Sequence, residues 1–146
     1  MTMKKLFWRL LAAGVFLGLI AGGFAYWYGF IRKEKPIEKM KPDMEITADS
    51  LFSVFNANET EATEKFGGKI LMLKSSLISV EKDANGNVTL ILVDPMMGVT
   101  CTIDSLQAVK QRTEINALSE GQPVTVKGRC DGMLTDVKLS KCMIVR

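Results

Sequence analysis

The chain has 146 residues, 47% of them apolar and 24% charged, which allows one domain of about 100–150 residues with or without a tail. The net charge of +3 is a sum of opposites: residues 1–42 hold eight Lys/Arg against two Glu, whereas residues 43–146 hold 11 basic against 14 acidic residues. The basic character therefore belongs to the flanks of an apolar segment and gives no support to a nucleic-acid-binding body, while the absence of histidine removes the commonest general base and metal ligand.

Residues 1–9 form a basic tail with Lys4, Lys5 and Arg9. Leu10 to Ile31 is 22 residues without a charge. As a helix it would extend about 33 Å, enough for a hydrocarbon core of about 30 Å. Trp8 stands at one end and Tyr26, Trp27 and Tyr28 at the other, where amphipathic rings prefer the headgroup level. The segment is read as a retained single-pass transmembrane helix. A cleaved signal peptide ending near Gly23-Phe24-Ala25 is the competing interpretation. The positive-inside rule, taken literally, leans towards a cytoplasmic C-terminus, because the C-terminal flank is the more basic. The short N-tail is nevertheless read as staying inside, which places the C-terminal domain on the periplasmic or extracytoplasmic side. Gly14, Gly18 and Gly22 recur at four-residue spacing and could pack a homodimer.

Residues 32–44 carry Lys33, Lys35, Lys39 and Lys41 with Pro36 and Pro42, and are read as a charged linker with little to bury. The domain is expected over residues 45–146. Thr47 caps a first helix with Ala48, Leu51, Phe52 and Phe55 at three- and four-residue spacing. Asn58 and Glu61 suggest a capping box for a second helix that buries Ala62 and Phe66 and stops at Gly67-Gly68. The same Asn58-Glu59-Thr60 string fits a glycosylation sequon, but capping explains it.

From Lys69 the period shortens. Lys69–Val80 predicts a long strand with Ile70, Met72, Leu77 and Val80 available to a core and a bend near Ser75-Ser76. Asn85-Gly86 predicts a type I′ hairpin, returning as Val88–Val93. Asp94-Pro95-Met96-Met97-Gly98 breaks the ladder; Met96 and Met97 could be an exposed apolar contact, but the lid of the barrel is the preferred reading. Val99–Ile103 is a short strand. Asp104–Leu118 is wholly or partly helical, with Leu106, Val109, Ile115 and Leu118 as its apolar side. Pro123–Cys130 and Val137–Val145 form a final hairpin. On the first of these, Val124, Val126 and Gly128 share one face and Thr125, Lys127 and Arg129 the other. Three strands, a helix and two strands is the chain order of a five-stranded OB-fold barrel. The fold class expected is thus mainly β with short helices before the barrel, plus one N-terminal membrane helix.

The segments ITADSLFSVFNANETEATEKFGGKI, VTCTI, LSEGQPVTVKGRCDG and DVKLSKCMIV resemble the small bacterial family of tRNA-anticodon-domain-like (tRNA_anti-like) OB-fold proteins, over about residues 45–146. The resemblance implies an anticodon-binding-type barrel in an exported or membrane-tethered protein. It transfers no catalytic residue.

Function is then weighed from what the barrel carries. OB-folds hold single strands by stacking bases on aromatics along a positive groove, at about 1–3 kcal/mol per base. All eleven aromatics lie before Gly67. Lys127, Arg129, Lys138 and Lys141 are the candidate contacts if nucleic acid binds at all, and a solvated strand face explains them as well. No phosphate loop or nucleophile elbow is present, so no enzyme, cofactor or metal site is expected. Cys101, Cys130 and Cys142 lack C-x-x-C spacing. Buried thiols and a disulfide both remain open, with Cys130–Cys142 across the last hairpin and Cys101–Cys142 as the competing pair. The reading is a membrane-anchored OB-fold module of the bacterial envelope that binds an unidentified envelope protein or ligand. Single-stranded, tRNA-like nucleic-acid binding is the alternative.

Overall fold

The computed structural model describes residues 3–30 and 35–146, in two units divided between Lys35 and Pro36. Met1, Thr2 and the Ile31–Glu34 end of the expected span and start of the expected linker lie outside the described residues.

The first unit is a helix, α1, over Met3–Phe30. None of its residues is buried, and it is long and apolar enough to cross a bilayer. A retained anchor and a signal sequence share that property. Space is open above Gly14, Gly18 and Gly22.

The second unit is a closed five-stranded barrel with one added strand. Its elements are β1 (Met44–Thr47), α2 (Ala48–Ala57), α3 (Glu59–Phe66), β2 (Ile70–Lys82), β3 (Val88–Leu92), β4 (Val99–Ile103), α4 (Ser105–Lys110), α5 (Arg112–Asn116), β5 (Pro123–Met133) and β6 (Val137–Val145). The sheet order is β1-β2-β3-β4-β6-β5, and β5 returns to β2 to close the barrel. β1 pairs parallel to β2, Met44 opposite Leu71. The expected OB-fold barrel is present; the parallel β1 is an addition that the sequence reading did not contain.

Two helix caps form as their residues dictate. Thr47 Oγ1 accepts the Ser50 amide at 3.2 Å, and Asn58 Oδ1 accepts that of Glu61 at 3.2 Å. Glu61 does reach back, but to the Asn58 side-chain amide at 3.3 Å, because the Asn58 backbone N–H already donates to the Val54 carbonyl. Leu51, Phe55, Ala62 and Phe66 reach the core, and the rings of Phe55 and Phe66 lie 6.1 Å apart.

In the long strand β2, Leu71 and Leu73 point inward, not Met72. The register slips between Leu77 and Ser79. One extra residue reverses the alternation, so Leu77 and Val80 both meet the core. The irregularity falls just beyond the Ser75-Ser76 position expected. Ile70 is buried outside the main core cluster, and Met72 faces away from it.

The hairpin after β2 is also of a different type. Gly86 has φ +85° while Asn85 keeps a negative φ. A type I′ turn needs both positive; a type I turn followed by a left-handed glycine is formed instead. Asp83 selects it, accepting the amides of Asn85 and Asn87 at 2.8 and 2.9 Å.

Residues 36–43 do not form a free linker. Ile37 is buried within a 3-10 turn over Ile37–Lys39, and the Asp43 carboxylate accepts the Ile70 amide at 2.9 Å. The stretch is a strap across the barrel that continues into β1.

Candidate functional site

The outward face of β2, β3, β4 and β6 is where an OB-fold meets single strands. The strand registers fix its composition. Glu81, Thr89 and Thr102 form one row; Ser79, Ile91, Thr100 and Lys138 form the next. Thr100 Oγ1 donates to Asp136 at 2.6 Å, so the face meets Lys138 together with two carboxylates, Glu81 and Asp136. It offers hydroxyls and an isoleucine but no ring.

The four candidate cations do not share that face. Lys127 is 8% exposed, not solvated. Met72 and Met143 flank it across the sheet, and its ammonium donates to the carbonyls of Met40 at 3.0 Å and Glu38 at 3.5 Å. The strap thus covers it, and burying a cation requires such partners. Arg129 lies on the same side of β5, opposite Ile70 and Ser140. Lys141 sits at a bulge in β6 with φ +50°. Lys138 alone of the four joins the threonine-rich face.

The cysteines come together inside the barrel, all three buried with free thiols. β4 and β6 run parallel with Cys101 opposite Leu139, and the bulge after Ser140 turns Cys142 inward. Burial, then the hydrogen bond and charge of Cys101, push the Cys142 thiol well above its ordinary value. Burial also raises Cys130. Cys130 faces Leu139 rather than Cys142 across the hairpin. The structure therefore brings Cys142 against Cys101, the competing pair. Space for Cys142 comes from Gly128, where a Cβ would overlap its sulfur. Among the described residues, no group of three or more His, Cys, Asp or Glu could hold a metal ion.

Two apolar expectations are corrected. Met96 and Met97 are exposed, because Asp94 takes both their amides at 2.8 and 3.0 Å and turns the loop outward rather than over the barrel. Leu106 and Val109 are also exposed. A break at Gln111 divides the helical segment, so that of the expected apolar side Ile115 and Leu118 do pack on the core, with Ala108 beside them. Gln111 holds this arrangement by pairing with strand β6, donating to the Ile144 carbonyl at 2.7 Å and accepting its amide at 2.9 Å.

The tRNA_anti-like family model matches residues 1–144. The chain belongs to the tRNA_anti-like family. Among solved structures it is similar to a Klebsiella pneumoniae lipoprotein for which nucleic-acid binding has been suggested, with TM-score 0.54 and 17% identity over 75% of this chain and 95% of that one. Weaker likenesses are to an asparaginyl-tRNA synthetase of Entamoeba histolytica (TM-score 0.42, 12% identity, 53% of this chain and 21% of that one) and to the S. pombe Stn1–Ten1 complex (TM-score 0.41, 15% identity, 53% and 58%). The tRNA_anti-like chain thus spans about a fifth of the synthetase. Its sequence has no match among curated proteins. The first likeness shows the barrel fold; neither it nor the family match supplies catalytic residues.

Proposed function

We propose that this protein is a single-pass, membrane-anchored OB-fold module of the bacterial envelope, acting by binding or scaffolding rather than by catalysis. The observation that carries the reading is α1: 28 residues, long and apolar enough to cross a bilayer, joined to a domain that has a core of its own. An apolar helix of this length and composition finds its solvent in a bilayer. The Tyr26–Tyr28 aromatics suit the interface at its C-terminal end. The domain is proposed to lie outside the cytoplasm, a placement with which the lipoprotein likeness agrees. Gly14, Gly18 and Gly22 are a proposed homodimer seam. The partner is an envelope protein or ligand. Membrane fractionation tests the anchor: the chain is expected to sediment with membranes and to stay there in high salt, and recovery in the soluble fraction would contradict it.

A second reading, single-stranded nucleic-acid binding, is favoured by the family and by the suggestion attached to the Klebsiella lipoprotein. Against it stand the ring-free face and the burial of Lys127. Oligonucleotide binding by the detergent-solubilised chain separates the two. Salt-sensitive retention supports the second reading; no retention at low salt removes it.

A further inference from the structure

Side-chain hydrogen bonds fix α4 and α5 against the barrel. Asn87 Oδ1 accepts the Ser105 amide at 3.0 Å, which ties the hairpin of residues 83–87 to the start of α4. Gln111, between the two helices, is bonded to both polar groups of the Ile144 backbone. Between the hairpin and the helices lies an open groove of about 330 Å³. Val88, Ala108 and Ile115 make its apolar floor, and Lys82, Val109 and Arg112 stand at its mouth.

Beside this groove α4 exposes two apolar side chains, Leu106 at 78% and Val109 at 73%. Three residues apart on a helix, they share one side, so Leu106 stands next to the groove that Val109 borders. An apolar knob adjoining an apolar-floored groove is complementary to itself. A two-fold rotation seats the knob of each copy in the groove of the other. The charges favour the same occupant. Glu81 and Asp83 flank Lys82, Glu114 follows two residues after Arg112, and Lys110 is paired with Glu38 at 3.3 Å. A two-fold contact sets a face against its own image, so a rim of one sign would repel itself, whereas a mixed rim can set carboxylates opposite cations. The same mixture offers no net field to a partner or surface of a single sign.

We propose that the α4 face is a contact between two copies of this chain, with Leu106 of each copy seated in the other's groove over Val88 and Ile115. The face belongs wholly to the second unit, so the inference does not depend on the retention of α1 and is separate from the glycine seam proposed there.

The test mixes full-length Leu106→Cys and Asn116→Cys chains in detergent and adds a short bismaleimide, which captures even a brief contact irreversibly. Asn116 borders the groove. The Asn116→Cys chain keeps its own Leu106, so one of the two seatings stays intact, and the three buried native thiols stay unreactive in the folded protein. In the control, Met96→Cys replaces Asn116→Cys; it lies in the loop after Leu92, at the far end of β3 from Val88. Peptide mass mapping is expected to find position 106 linked to position 116 at least about threefold more than to position 96. Equal yields, or no link to 116, overturns the proposal. Val109→Lys in both chains adds a third cation beside Lys82 and Arg112, at the C-terminal end of a helix where a cation is tolerated, and is expected to abolish the link. A link that survives it would come from association through α1 and would equally overturn the proposal.

Discussion

Cys142, Cys101 and Gly128 form one packing unit, and its chemistry is that of a dry interior. Thiols raised by burial stay protonated, so they are poor nucleophiles. The native protein is expected to resist alkylation at Cys101, Cys130 and Cys142 and to react only in denaturant. Mass spectrometry of iodoacetamide adducts checks this, and rapid native labelling at any of the three would contradict it. The linkage has a definite sign. With folded values above the ordinary 9.0, the stabilisation is complete below pH 9 and is lost as pH rises beyond it. Should the domain mature in an oxidising compartment, non-reducing peptide mapping is expected to link Cys101 to Cys142 and leave Cys130 free. A Cys130–Cys142 link would contradict the strand register. Gly128→Ala places a methyl against the Cys142 sulfur and should cost about 1–3 kcal/mol by thermal or urea unfolding. Adding Cys142→Ala should recover most of that loss, and failure to recover would mean that the contact is not the cause.

The elements differ in how far the sequence reveals them. Thr47, Asn58 and Asp94 each accept amides two or three residues on, and Gly86 supplies a positive φ, so their caps and turns could be read directly, though not the turn type that Asp83 imposes. Strands with one wet face were equally readable, as Val99–Ile103 and Val137–Val145 show. β2 was harder because both of its faces are apolar: Leu71 and Leu73 line the core while Ile70 and Met72 lie outside it, near the strap. Lys127 looked solvated for the same reason. Its cover comes from residues 87 and 89 positions earlier in the chain, a pairing that no local pattern encodes. Replacing it tests the strap. Lys127→Met keeps the stem but removes the donor, leaving two carbonyls without it at a cost of about 1–3 kcal/mol. Trypsin is then expected to cut after Lys39 faster than in the wild type, Lys41 being protected by Pro42, while an unchanged cleavage rate would show that Lys127 does not hold the strap. Gln111→Leu should likewise loosen the α4–α5 end by removing both bonds to Ile144.

At the scale of the whole molecule, the uneven distribution of aromatic residues takes on a structural meaning. The rings before residue 31 stand exposed along α1, Phe55 and Phe66 fasten α2 and α3 to the barrel, and the strand face on which an OB-fold stacks bases is built from Thr, Ser and Ile. The fold and the family could be read from the chain. A ligand could not, because the face that would contain it offers no ring and no convergent charge. The cations once grouped as a site are divided between that face, a bulge and the covered side of β5. The central proposal for this barrel is therefore its attachment through α1. Carbonate extraction of membranes, followed by intact-mass measurement of the protein retained in the pellet, tests that attachment most directly. The account predicts a full chain of 16.1 kDa in the extracted membranes; a shortened chain lacking α1 in the soluble fraction would contradict it.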